Sequence, residues 1–149
     1  MNEVRAEVFV PHSPQRSFDL FTQEVNRWWR RGERYGGPDV RSHRFEPFVG
    51  GRFLEIHEQR EGVLGVITVW DPPERLAFTW RQSNWEPHEQ TAVQVTFTAV
   101  DGGTRVELRH YGFDAISSDV GCEVGYEYGW RELLNWFLDA ASPIRTRKE

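Results

Sequence analysis

One cysteine among 149 residues, Cys122, excludes an internal disulfide, and with no second thiol the chain builds no CxxC zinc or redox site. No stretch approaches the ~18 consecutive apolar residues of a membrane span, and Met1-Asn2-Glu3-Val4-Arg5-Ala6-Glu7 has neither a basic start nor an apolar run behind it. The chain therefore reads as cytoplasmic, with no membrane partner. Positive charge is also in deficit: 18 Lys and Arg stand against 23 Asp and Glu, a net charge of −5, which argues against nucleic acid as a partner. Phosphate-cradling GxGxxG and GxxxxGK[ST] motifs are missing, as is a GxSxG nucleophile elbow. Five histidines, His12, His43, His57, His88 and His110, show no HxH or HxxxH spacing, so no metal and no cofactor is expected.

Aromatic residues are present in excess. Seven Trp, ten Phe and four Tyr make up 14% of the chain, and large rings either fill a core or line an apolar pocket. Turn residues are spread along the chain with no single linker, so residues 1–149 read as one domain.

Strand periodicity is clear at several places. Val4, Ala6, Val8 and Val10 alternate with polar or exposed positions, as do Thr91, Val93, Val95 and Phe97. Val106, Leu108 and His110 follow after Asp101-Gly102-Gly103, a strong hairpin signal. Further strands are expected over 52–58, 62–70 and 75–82, with Pro72-Pro73 as the corner between the last two, and a seventh around 42–48. Ser13-Pro14 opens helical spacing through Phe18, Phe21, Val25, Trp28 and Trp29, read as two short helices. Tyr126, Trp130, Leu133, Leu134, Phe137, Leu138 and Ala141 form one stripe of a long helix over about 119–141. The fold class is α+β: a curved antiparallel sheet of about seven strands with one face to cover, and one long helix to cover it.

Several segments carry a family resemblance: Pro14-x-x-x-Phe18-Asp19-x-Phe21 with Trp28-Trp29, then Gly50-Gly51-Arg52-Phe53, then Gly65-Val66 leading to Trp70-Asp71-Pro72-Pro73-x-Arg75-Leu76-x-Phe78-Thr79-Trp80. Thr91-x-Val93-x-Val95-x-Phe97, Gly103-Thr104-Arg105-Val106, His110-x-Gly112-Phe113 and Gly129-Trp130-x-x-Leu133-Leu134 complete it. In their order and spacing these resemble the SRPBCC superfamily, START-like and birch-pollen-allergen-like, and within it the branch related to the activator of the Hsp90 ATPase. The resemblance implies a helix-grip fold. It implies three functions: binding of a small hydrophobic molecule, catalysis of the cyclase, dehydratase or hydrolase kind, or a chaperone-activator-like interaction module. A homodimer is compatible with each.

Strand alternation selects the side chains that could do chemistry. Phe53, Glu55 and His57 share one face of their strand, so if that face is concave a carboxylate and an imidazole enter the interior together. His110 belongs to the apolar face of Val106 and Leu108. Glu55, with His57 or His110, is the candidate acid–base pair. Phe53, Trp70, Phe78, Trp80, Trp85, Tyr126 and Trp130 are the candidate ligand-binding rings. Arg27, Arg30, Arg31 and Arg34 form a basic cluster that could rim a mouth, although a solvated charged face is the commoner role of such a cluster.

Overall fold

A computed structural model describes residues 3–29, 40–82 and 84–142. The chain runs β1 (Val4–Val10), α1 (Pro14–Thr22), a 3-10 turn (Val25–Arg27), then β2 (Val40–Phe45), β3 (Arg52–His57), β4 (Glu61–Asp71), β5 (Arg75–Trp80), β6 (Thr91–Val100) and β7 (Gly103–Tyr111). A second 3-10 turn (Phe113–Ala115) leads to the long helix α2 (Glu123–Ala141). The seven strands form one antiparallel sheet in the order β1-β7-β6-β5-β4-β3-β2, so every neighbour is a sequential hairpin except β1, which joins at the far edge beside β7.

Local chemistry sets the element ends. The Ser13 hydroxyl accepts from the Arg16 amide and Pro14 occupies the first helical position, so α1 starts where an orphan donor is capped and no amide is wasted. The β6–β7 hairpin turns through Asp101-Gly102, with Gly102 in the left-handed region at φ +83° that a side chain would disfavour. Register shifts fall between β2 and β3, β3 and β4, and β4 and β5, so one half of the sheet carries the bulges that raise twist and curl it.

Helix α2 lies against the concave face, with Trp130, Leu133, Leu134 and Phe137 buried. Phe137 meets Phe21 and Trp28 edge-on with ring centres 5.4 and 5.3 Å apart, which ties α1 and its following turn to α2. The His12 ring hydrogen-bonds the Ala141 carbonyl at 2.7 Å, and Thr104 donates to the His12 carbonyl. At the edge of β2 Asn26 donates to the His43 carbonyl and accepts from the His43 amide, copying at that residue the pairing a neighbouring strand would give. No helix of the described residues is long and apolar enough to cross a membrane.

Candidate functional site

The concave face holds a continuous set of rings. Phe53 has no exposed surface, stacks flat on Phe45 at 4.0 Å and meets Phe78 at 5.3 Å. Trp80 continues the set to Trp130 at 5.8 Å and Tyr126 at 6.0 Å, and Trp85 joins Tyr126 at 6.3 Å. Six of the seven expected ligand-binding rings thus come together. Trp70 is placed elsewhere: it packs edge-on against Phe18 of α1 at 5.1 Å and makes no ring contact with the other six among the described residues.

Phe53 packs into the ring cluster beneath α2 through Trp29 and Trp80, so its face is the concave one, and Glu55 and His57, two and four residues on, point the same way. Their side chains are 16% and 6% exposed, and His57 Nε2 lies 3.0 Å from Glu55 Oε1. Across the strand pair Glu55 faces His43, which is buried and in contact with the Trp29 ring at 4.9 Å; Trp29 in turn meets Phe53 at 5.5 Å and Trp130 at 6.0 Å. His57 Nδ1 and Trp29 Nε1 are both buried here without a hydrogen-bond partner among the described residues. Trp29 and His43 were not distinguished by sequence. Trp29 reads as one more apolar position of a helical pattern, and His43 lies on a strand whose start is displaced by two residues from the expected one.

His110 occupies a different station. Its Nδ1 accepts from Trp130 Nε1–H at 2.9 Å, which puts the single proton of a neutral ring on Nε2. That proton is donated to Thr91 Oγ1 at 2.6 Å, and the Thr91 hydroxyl donates onward to the Trp80 carbonyl. Burial pushes His110 down to about 3, so the ring stays neutral and both nitrogens are committed to joining β5, β6, β7 and α2. Tyr126 extends a parallel arrangement, accepting from Trp80 Nε1–H at 2.8 Å while donating to Gln82 Oε1. The Glu89 carboxylate, beside Ser118, is another buried polar centre. Glu89 accepts from the amides of Glu86, Ser117 and Ser118 and from both serine hydroxyls, and these bonds, that of Ser118 first, hold it down to about 2. No local pattern announces Glu89, because four of its five donors, those of Ser117 and Ser118, lie 28 and 29 residues further along.

Arg27 is exposed and paired with Glu24 at 2.7 Å; Arg30, Arg31 and Arg34 lie outside the described residues. No group of three or more His, Cys, Asp or Glu among the described residues is placed to hold a metal ion. Burial raises the Cys122 thiol to about 11, which makes it a packing residue rather than a nucleophile.

The model of the family described as activator of Hsp90 ATPase homolog 1-like proteins matches residues 11–141. The chain belongs to this family. Among solved structures, Txn09, an anthrahydroquino-γ-pyrone synthase complexed with SUM, is 32% identical, with a TM-score of 0.66 over 94% of this chain and 97% of that one. Protein MLL2253 from Mesorhizobium loti is 22% identical with a TM-score of 0.71 over 93% and 95% of the two chains. The Aha1 dimer from Colwellia psychrerythraea, at 14% identity, has a TM-score of 0.70 over 96% and 98%. The last two likenesses are of fold alone. No curated protein matches the chain.

Proposed function

We propose that the protein binds a small hydrophobic or aromatic molecule between the concave face of its sheet and α2. The observation that carries this reading is the Glu55–His57 pair, set among rings with His57 Nδ1 buried and unpartnered among the described residues. A core that only had to be filled would place apolar groups there, because a buried polar atom without a partner costs free energy that a ligand group restores. The rings around it supply the flat apolar walls such a ligand requires. A 32% identical relative named as a synthase of a fused aromatic product supports the same ligand class. Titration with a panel of planar aromatic compounds should change tryptophan emission saturably, since Trp29, Trp80, Trp85 and Trp130 all lie on these walls. A panel without any saturable response overturns the proposal.

A second reading, an enzyme of the cyclase, dehydratase or hydrolase kind, is favoured by the 3.0 Å contact between Glu55 and His57. His110 is not needed for it, since both of its nitrogens are engaged. On this reading Glu55→Gln abolishes turnover of an accepted substrate and leaves affinity within roughly tenfold, the signature of a group used in the chemical step. Full retention of turnover by that variant removes the enzyme reading and leaves binding.

A further inference from the structure

We infer that His57 Nδ1 takes a proton from the ligand, that Glu55 is a positioning residue acting through His57, and that the ligand is therefore a phenol or enol. The inference rests on the ligand-binding reading and assigns the polar end of that ligand. Ionised Glu55 is an acceptor only, so the contact at 3.0 Å holds the His57 proton on Nε2. Neutral His57 then carries its lone pair on Nδ1, the atom buried without a partner among the described residues. This is the order found wherever a carboxylate orients an imidazole: the carboxylate fixes tautomer and rotation, and the opposite nitrogen is the base.

Trp29 supplies the complementary half. Its Nε1–H can only donate, and it too is buried without an acceptor among the described residues. The indole ring lies against His43 and Phe53, respectively the cross-strand partner of Glu55 and its neighbour on the same face, so donor and base belong to one end of the concave surface. One lone pair wanting a proton and one N–H wanting an acceptor are both answered by an acidic hydroxyl, either alone or beside a carbonyl. A hydrocarbon or a simple ether answers at most one of them. In the transfer step the ligand O–H bond breaks and an N–H bond forms at His57 Nδ1. The electron pair stays on the ligand oxygen as phenolate or enolate, and the imidazolium so formed is paired with the Glu55 carboxylate. The Trp29 N–H is the donor available to that oxygen or to the carbonyl conjugated with it.

The test compares 2-hydroxyanthraquinone with its methyl ether, both planar and nearly equal in size, at a pH where the free phenol is still protonated. Wild-type protein should bind the phenol at least roughly tenfold more tightly than the ether and should develop the phenolate absorption band on binding. His57→Gln keeps an amide near the former Nε2 for Glu55 and removes Nδ1. It should lose the band and bring the two affinities together, with unchanged near-ultraviolet circular dichroism showing an intact fold. Glu55→Gln should weaken the band without abolishing binding, and Trp29→Phe should lower affinity for the phenol more than for the ether. Equal affinities and no phenolate band in the wild type overturn the inference while the ligand-binding reading stands. If neither compound nor the wider aromatic panel perturbs tryptophan emission, both fall. Should His57→Gln not fold, the wild-type band and the phenol-to-ether ratio still decide the matter.

Discussion

A methyl group placed on Gly65 would come within 1.7 Å of the Thr79 carbonyl oxygen, whereas one on Gly125, in the first turn of α2, meets nothing within 4 Å. The two positions therefore respond oppositely to the same change. Gly65→Ala forces β4 and β5 apart and should unfold the protein or lower its urea midpoint sharply. Gly125→Ala removes backbone freedom from the unfolded chain and should raise stability by about 0.4–1 kcal/mol. Equal effects at the two sites would show that β4 and β5 do not approach so closely. At the same scale lies the contrast between two histidines on the concave side. His110 is locked by Trp130 and Thr91 into one tautomer for structure, while His57 has a carboxylate on one nitrogen and no partner on the other among the described residues. Strand alternation puts both on inward faces, but only their neighbours across the sheet and on α2 separate their roles, and no local pattern in the chain names those neighbours.

Among the elements, α2 brings a buried stripe of Trp130, Leu133, Leu134 and Phe137 to the core. Leu134 is 1% exposed on its buried stripe, so Leu134→Ala should cost about 2–5 kcal/mol in denaturant unfolding; a loss under about 0.5 kcal/mol would mean that the stripe faces elsewhere. The connection entering α2 is held by Glu89, whose carboxylate gathers three amides and two hydroxyls from the β5–β6 loop and the segment before the helix. Replacing Glu89 by Gln keeps the shape but leaves one oxygen for five donors. Hydrogen exchange at the amides of Glu86, Ser117 and Ser118 should accelerate while β6 and β7 stay protected; uniform acceleration throughout would make Glu89 a global rather than a local tie. Elements themselves were well foretold by pattern. Alternation located β1 and β4 to within a residue, and the seven-residue stripe located α2, which starts at Glu123 rather than near residue 119 because Val120 and Gly121 are exposed and the chain still turns there. The edge strand was the least legible. The stretch 42–48 was expected and Val40–Phe45 is observed, with Phe48 more than half exposed beyond it, since Phe48 reads as a strand residue whether or not it has anything to pack on.

For the molecule as a whole, stability in acid should fall in two stages. The ordinary histidine value is 6.5 and folded His110 is held at about 3, so between these the unfolded chain binds a proton that the folded one does not. Stability is full above 6.5 and declines as pH falls toward 3, by about 1.4 kcal/mol per pH unit attributable to this ring. Glu3, Glu46 and Glu89, lowered from 4.5 to about 2, add their own loss only once pH drops below about 4.5. Unfolding free energies measured from pH 7 to 4.5 should therefore show a slope that is reduced in His110→Gln; an identical slope in the variant would remove His110 as its source. The architecture behind this is readable from composition and periodicity, because one sheet face and the stripe of the long helix are the most extended apolar surfaces and have to meet. Which rings would touch was not, as the displacement of Trp70 to α1 shows: its place depends on the bulges in β4 and its neighbours, which shift register without leaving a mark in the alternation.

The placing of β1 beside β7 has a bearing on time. Every other strand finds a partner in the next hairpin, but β1 must wait while roughly ninety residues are added before β7 begins at Gly103. At about 5–20 residues per second of synthesis that is a delay of roughly 5–20 seconds. Throughout it, the inward side chains of Val4, Ala6, Val8 and Val10 have neither sheet nor helix to cover them, since α2, which packs on β1, is made later still. Of the seven strands β1 is thus made before the others yet paired after them, and the growing meander stays a half-built surface until β7 lets β1 join and α2 covers both.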